Sequence, residues 1–522
     1  MSNRIAALDL GTNSFHLLIA SIDSEKQEVR LERRVREFVF LGRELGGEPP
    51  CFSEEALVRG LGVLRSFVKL CQEMQVSRIL ACGTEAFRQA QNASLLIEAA
   101  KHELGIMIRI LSGVEEARLI HEGVKNGLPL PEEPYLLMDI GGGSVEFILG
   151  KGGEILHLTS LPLGVTTLAK LFPEPDPFSP NILSQIQTHV HKILLPFLSA
   201  IPKENISYLI GSSGTFKTLA RLIAHHSGDN LSAQTIHGYQ FSPMLFYPIY
   251  KKLTTLPLSE RLRLKGMQAE RAPYMPYGAV LVERILQALP ISRIIISEYA
   301  LREGIIYEYA KQLLNGSIAV GTSLREKSVR ALGDKYQINT LHAQHTREWA
   351  EKLFDLLRPL HHLTAQEKEW LAYAAYLHDI GHFINPSGHH KHGLYILLNS
   401  PMPGFSPEEL LVIANLVRYH RKSIPSSDHF HYSALPRSQK KIIGYLAPIL
   451  RLSDQLAKYL HHGPHHVSVA YTDTNIEISA DTPEGNVGQY IPAIIAEVQD
   501  FFERSYNRHF SLQLAWQPGL SG

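Results

Sequence analysis

Residues 137–144 read Leu-Met-Asp-Ile-Gly-Gly-Gly-Ser, and residues 7–14 read Ala-Leu-Asp-Leu-Gly-Thr-Asn-Ser. Each stretch is an apolar run, then an Asp, then a Gly-rich turn ending in Ser. An alternating strand follows each, Phe15 to Ala20 in the first and Val145 to Gly150 in the second. The pattern predicts two β-hairpins with the same tip. Glycine lets backbone N–H groups approach an anion closely, and successive N–H groups in a turn form a concave nest for phosphate. Gly11, Thr12, Asn13 and Ser14, with Gly141, Gly142, Gly143 and Ser144, are therefore phosphate-binding candidates. Asp9 and Asp139 cannot bind phosphate directly, because like charges repel. Their chemistry suits a metal, or a water on a metal, that bridges to phosphate. Two such tips facing each other would clamp a phosphate chain from both sides.

Composition sets the frame around these turns. The chain has 522 residues, a length for three or four domains, and is 44% hydrophobic and 20% charged, as globular proteins with sizeable cores are. A formal net charge of +0 leaves no global field to draw in nucleic acid or a membrane surface, so an anionic ligand needs a local site. The N-terminal residues run straight into a strand without a signal-peptide apolar region, and no run of about 20 apolar residues forms a membrane span. Cys51, Cys71 and Cys82 form no CxxC pair and read as reduced thiols of a cytoplasmic protein.

The periodicity divides the chain. Strands are expected at 4–10, 15–22, 28–40, 78–82 and 106–111, and helices at 54–74, 92–103 and 114–125. The proline-rich joint at 127–134 ends this half, and residues 135–312 repeat the pattern, with a proline-rich loop from Phe172 to Pro180. From about residue 320 to 462 the apolar period is helical. Alternation returns at Val467, Val469 and Tyr471, followed by a helix near 491–505 and a strand at 509–516. The expected domains are 1–131, 132–315, 316–465 and a small α/β appendix at 466–522.

Further motifs join the hairpins. Gly83-Thr84-Glu85-Ala86-Phe87-Arg88 follows a strand and places a guanidinium, a planar fork suited to phosphate oxygens, near its end. Ser112 to Leu119 opens a helix with Glu115 and Glu116, which complement the helix dipole or supply a base that orients water toward phosphorus. Gly211, Ser212, Ser213, Gly214 and Thr215 put backbone donors and hydroxyls at a strand-to-helix turn.

The ordered set DLGTNSFHLLIA, GTEAFRQAQN, LSGVEEARLIHEGV, MDIGGGSVEF, LPLGVTTL, GSSGT and LREGI resembles the exopolyphosphatase/guanosine-pentaphosphatase (Ppx/GppA) family over residues 4–310. That resemblance implies two ribonuclease-H-like α/β domains of the actin and sugar-kinase superfamily, with an active site in the cleft between them. It implies Glu116 as catalytic base, Arg88 as phosphate ligand, Asp139 and Glu146 in metal and water positioning, and Mg²⁺ as cofactor. Val145 stands where the family usually has Thr, so one hydroxyl is lost. The implied reaction is hydrolysis of the terminal phosphoanhydride of inorganic polyphosphate. The alternative is conversion of pppGpp to ppGpp. Dimerisation through the helical part is a further implication.

The histidine-rich half, which holds most of the 26 histidines, carries a second pattern. His345, His378, Asp379, His392, His420 and Asp454 fall on apolar helical faces, where a polar group needs a partner. The order resembles the HD metal-dependent phosphohydrolases, with His345, His378, Asp379 and Asp454 as core ligands and His392 and His420 as ligands of a second metal. An all-α HD-like domain with a divalent metal site is therefore expected, with His361, His362, His382, His389 and His390 as surface or supporting groups. The basic residues Arg418, Arg421 and Lys422, with Arg437, Lys440 and Lys441, continue a phosphate path or form a solvated helix face. Two rival functions stay open: an HD-type nucleotide phosphohydrolase and an ATP-dependent actin-like switch.

Overall fold

The computed structural model describes residues 2–516 apart from 24–27, 44, 47, 174–175, 203–204, 230–235, 315–323, 401, 403 and 483–486. The chain forms two compact units, one ending at Leu324 and the other running from Arg325 onward.

In the first unit, the quoted stretches are the tips of two β-hairpins. Strands β1 (Ser2–Leu10) and β2 (Ser14–Asp23) pair antiparallel, and β3 (Glu28–Phe38) continues the meander. Helix α1 (Glu54–Glu73) starts where Ser53 accepts a hydrogen bond from the Ala56 N–H, with Glu54 and Glu55 in the favourable first turn. Then follow β4 (Arg78–Gly83), α2 (Glu85–Gln89), α3 (Ala93–Leu104), β5 (Ile108–Ile110) and α4 (Gly113–Lys125). The strand order is β3-β2-β1-β4-β5. Among the described residues of this half, α2, five residues long, is the element that periodicity missed.

The second half repeats this plan. Strands β6 (Tyr135–Ile140), β7 (Val145–Lys151) and β8 (Glu154–Leu161) form the meander, and α5 (Val165–Leu171) and α6 (Pro180–Ala200) follow. Next come β9 (Tyr208–Ser212), α7 (Ser213–Ser227), β10 (Gln240–Phe241), α8 (Phe246–Thr255), α9 (Leu258–Arg261), α10 (Met275–Ala288), β11 (Arg293–Ile296) and α11 (Leu301–Leu313). The order β8-β7-β6-β9-β11, with β10 at the edge, is the order of the first sheet. The duplication extends to register. Asp9 pairs with His16 on β2 and Cys82 on β4, and Asp139 pairs with Glu146 on β7 and Ser212 on β9.

The expected boundary at 131/132 does not divide the packing cleanly. Helix α11 packs on α4 and on β1 and β2 of the first sheet. A Cβ on Gly304 would lie 1.8 Å from Leu119 O, so the α4–α11 crossing is close enough to require glycine there.

The second unit carries α12 (Leu324–Lys335), α13 (Thr340–His361), α14 (Ala365–Leu377), α15 (His389–Leu398), α16 (Pro407–Tyr419), α17 (Phe430–Ser433) and α18 (Arg437–Leu460). A sheet of β12 (Val467–Tyr471), β13 (Asn475–Thr482) and β14 (His509–Trp516) follows, with α19 (Ile491–Tyr506) as the crossover between β13 and β14. The segment expected as a separate appendix shares its core with the helices. Ile476, Ile478, Val498 and Phe502 are fully buried in the cluster that contains Leu446 and Leu450. Among the described residues, no helix is long and apolar enough to cross a membrane.

Candidate functional site

The two hairpin tips close with the same bond. Gly11 N–H donates to Ser14 O at 3.2 Å, and Gly141 N–H donates to Ser144 O at 3.0 Å. The carbonyls of the second tip are tied down by the LPLGVTTL segment. Val165 N–H donates to Gly141 O, Thr166 N–H to Gly142 O, and Gly164 N–H to Gly143 O, at 2.8–3.1 Å. In a trans peptide the C=O and the next N–H point opposite ways, so the N–H groups of Gly142, Gly143 and Ser144 turn away from α5. In the first tip, Gly42 N–H binds Thr12 O, and both Val39 and Phe40 N–H bind Asn13 O. The first tip also meets the segment that ties down the second, because Asn13 and Thr166 of α5 exchange hydrogen bonds at 2.8 and 3.0 Å.

Between them lies a cavity of about 430 Å³ lined by Asp9, both tips, Glu116, Asp139 and Glu146. Glu116 is 7% exposed, Asp139 7% and Glu146 1%. Burial raises the Asp139 carboxyl to about 6, Asp9 to about 7 and Glu116 to about 8, and lifts Glu146 well above the usual range. Neighbouring carboxylates add to the shift for Asp9, Glu116 and Glu146. Ser212 Oγ donates to Asp139 at 2.5 Å, and Ser160 Oγ donates to Glu146 at 2.8 Å.

Arg88 does not line this cavity. Its Nη1 donates to Glu116 Oε2 at 2.8 Å and to Leu111 O at 2.7 Å, and its Nε donates to Glu85 Oε2 at 2.8 Å. The expected phosphate ligand is therefore engaged as the holder of Glu116. The Gly211–Thr215 turn is corrected in the same way. Ser213, Gly214 and Thr215 line the cavity, but Ser212 serves Asp139 and Gly211 packs on Phe216. Ser213 adopts φ +73°, with its hydroxyl bonded to Ile140 O at 2.7 Å.

Sequence reasoning missed the cations. Arg36, Lys217, Arg221, Arg271 and Arg302 line the same cavity, with the imidazole of His16 beside them. Burial lowers Lys217 to about 8, and burial together with Arg36 and Arg221 lowers Arg271 to about 10. Burial and these cations hold His16 well below its usual value, and His16 Nδ1 accepts from Arg302 at 3.3 Å. Some were findable from pattern: Lys217 and Arg221 lie one turn apart on the helix that the GSSGT turn opens, and His16 shares a strand face with Ser14. Arg271 had no local signal; its guanidinium lies against Gly214, where a Cβ would come within 1.9 Å of it.

In the helical unit, His378, Asp379, His420 and Asp454 lie together, but His345 and His392 do not join them. His342, not His345, faces Asp454 at 3.1 Å, and His389, not His392, faces Asp379 at 3.3 Å. Leu341, one turn before His345, is 68% exposed, so the face of α13 that carries both is not the inward one. The buried stripe runs Thr346, Trp349 and Leu353, which continues back to His342. His389 and His390, expected as surface or supporting groups, are each 2% exposed. Burial works against a charge on His378, yet Asp379 and Asp454 raise it to about 9; the same contacts hold both carboxylates below their usual range.

Residues 12–313 match the Ppx/GppA phosphatase family, and residues 324–483 match Ppx/GppA phosphatase, domain III. The crystal structure of an exopolyphosphatase from Cytophaga hutchinsonii is 34% identical, with a TM-score of 0.56, over 59% of this chain and 98% of that one. The Aquifex aeolicus member of the Ppx/GppA family is 26% identical, with a TM-score of 0.51, over 61% of this chain and 99% of that one.

Proposed function

We propose that this chain, which belongs to the Ppx/GppA phosphatase family, removes terminal phosphate from inorganic polyphosphate, with Glu116 as the base. The observation that carries this reading is the division of charge in one cavity. Asp139 raises the proton affinity of Asp9, Glu116 and Glu146, with Asp9 adding to the shift of Glu116 and Glu116 to that of Glu146, while Arg271 is crowded by Arg36 and Arg221. A phosphate chain satisfies the cations, and a divalent cation satisfies the carboxylates.

The residues present fit Mg²⁺. Buried carboxyls with a raised affinity for protons mark a place short of positive charge, and oxygen donors suit a hard cation. Asp9, Asp139 and Glu146 would hold it, and the ion would neutralise charge on the phosphate oxygens. Phosphoanhydride hydrolysis asks the protein mainly for positioning and electrostatics. The tip N–H groups and the cations orient the terminal phosphate. Glu116, fixed by Arg88, orients a water and accepts its proton as the oxygen attacks phosphorus. The bridging oxygen leaves with the shortened chain. Burial of Glu116 raises its proton affinity, which is what a base near neutral pH requires.

The test is phosphate release from long-chain polyphosphate and from pppGpp, side by side with Mg²⁺, for wild type and Glu116→Gln. Release from polyphosphate that falls by about 10²–10⁴-fold in the variant supports the reading. Preference for pppGpp with the same loss keeps the site and changes the substrate. Release that survives the substitution removes Glu116 from the chemistry.

A further inference from the structure

We infer that His16 aims the hydroxyl proton of Ser14 at a phosphate oxygen in the cleft, a positioning role that rests on the phosphatase reading above.

The two hairpins are duplicates in which one position has changed its chemistry. Asp9 lies across the ladder from His16, and Asp139 lies across from Glu146. Ser14 stands two residues before His16, as Ser144 stands two before Glu146, so each serine shares a strand face with its neighbour. An imidazole thus occupies in the first hairpin the place that a carboxylate occupies in the second. The hydrogen bonds around the two serines run in opposite directions as a result. In the second hairpin, the hydroxyls of Ser144 and Ser160 bond to the Glu146 carboxylate. A carboxylate only accepts, so the proton of Ser144 is taken up in that bond.

In the first hairpin, Ser14 Oγ lies 2.9 Å from His16 Nε2, and His16 Nδ1 lies 3.3 Å from Arg302 Nη1. A guanidinium only donates, so Nδ1 presents the lone pair, and the neutral ring carries its hydrogen on Nε2. Burial and the cations Arg302, Lys217, Arg271 and Arg36 keep the ring neutral. Ser14 Oγ therefore accepts from His16, and its own proton is left over. His16 is the one side-chain partner of that hydroxyl among the described residues. Ser14 is 8% exposed and lines the cavity with His16 and Arg302. A buried hydroxyl proton calls for an acceptor, and the cations that line the cavity draw in an anion that brings one. A hydrogen bond to a phosphate oxygen is charge-assisted and roughly twice as strong as a neutral one. The duplicated serines thus divide the work: Ser144 orients Glu146, and Ser14 holds the phosphate.

The test is titration calorimetry of the full chain with inorganic phosphate and Mg²⁺, which needs no turnover, alongside phosphate release from long-chain polyphosphate. The variants are Ser14→Ala, His16→Gln, His16→Leu (or His16→Asn where the apolar side chain does not fold) and the double variant, with circular dichroism to establish folding. Ser14→Ala loses one charge-assisted hydrogen bond and should weaken phosphate binding by about 10–10²-fold. His16→Leu leaves the hydroxyl free to turn away and should weaken binding by a comparable factor. The double variant should bind no more weakly than Ser14→Ala alone, because His16 acts through that hydroxyl. His16→Gln offers an N–H to Ser14 and a carbonyl to Arg302, and should bind within about threefold of the parent. An imidazole that only packs would multiply its loss with that of Ser14→Ala and would not be replaced by an amide. Phosphate release should follow the same order. Undiminished phosphate affinity in folded Ser14→Ala, losses that multiply in the double variant, or no phosphate binding by the parent overturns the inference. The expected binding pattern without release from polyphosphate supports the inference and counts against the proposed reaction alone.

Discussion

Arg88 and Glu116 form a part-buried ion pair at 2.8 Å, and the same guanidinium is anchored on Leu111 O and Glu85. The planar fork thus fixes the carboxylate of α4 to the end of β5 and to α2. Its role is to position Glu116. Arg88→Ala removes a charge-assisted hydrogen bond worth about 1.5–3 kcal/mol, which predicts about a 10–10²-fold fall in kcat with KM little changed. Arg88→Lys keeps the charge but loses the fork, and should recover only part of the rate. Steady-state phosphate release decides the matter: a raised KM at constant kcat would return Arg88 to direct phosphate binding.

Ser212 bears on the opposite hairpin. Its fully buried hydroxyl donates to Asp139. Ser212→Ala leaves that carboxylate short of one donor and free to rotate. The expected result is a rise of about tenfold in the Mg²⁺ concentration that gives half-maximal phosphate release, the equivalent of about 1.4 kcal/mol. Saturating Mg²⁺ should restore most of the rate. An unchanged Mg²⁺ dependence would separate Asp139 from the ion.

The two hairpins were legible because the Asp-to-Ser pattern recurs with its flanking alternation, and the structure reproduces both tips down to the closing Gly-to-Ser bond. Asp139 follows from that pattern, whereas Glu116 and Glu146, which line the same cavity, were implied by the family resemblance. What sequence could not supply was the reach of long side chains. Arg88 looked like a phosphate ligand because the direction of its guanidinium depends on Glu116, which lies 28 residues away. The cations around Arg271 come from elements far apart in the chain. On α13 the buried stripe follows the period of 3.6 back to His342, and His345 lies off it, a distinction of one turn that an apolar face alone does not draw. The C-terminal strands alternate as an independent sheet would, and nothing in their pattern reports that their buried face closes the core of the helices.

Glycine spacing makes a prediction on stability. A Cβ at Gly304 would sit 1.8 Å from Leu119 O, whereas Gly62, inside α1, has open space around it. Gly304→Ala forces α4 and α11 apart and should cost about 1–3 kcal/mol. Gly62→Ala removes backbone freedom from the unfolded chain and should stabilise by up to about 1 kcal/mol. Scanning calorimetry compares the two on the first unit. Because α4 carries Glu116, Gly304→Ala should also lower phosphate release at temperatures where the protein is still folded. Equal melting curves for both variants would remove the close crossing from the account.

His121 sets an acid limit on the same helix. It is 3% exposed and bonded to the Tyr135 hydroxyl at 2.8 Å. Burial, with help from Lys125, lowers it from 6.5 to about 4. The folded protein therefore resists a proton that the unfolded chain accepts. Between pH 6.5 and 4 the unfolded state binds more protons at this position, so stability is complete above 6.5 and falls as pH drops through that window. The contribution is about 3 kcal/mol by pH 4. His121→Gln keeps a polar group beside Tyr135 and cannot titrate. Urea unfolding of both proteins at half-unit pH steps should show the variant losing less stability on acidification, with a slope smaller by up to one proton. His237, also lowered by burial, leaves a residual slope in the variant. Parallel curves for wild type and variant from pH 7 to 4 would show that His121 is protonated as readily in the fold as in the free chain.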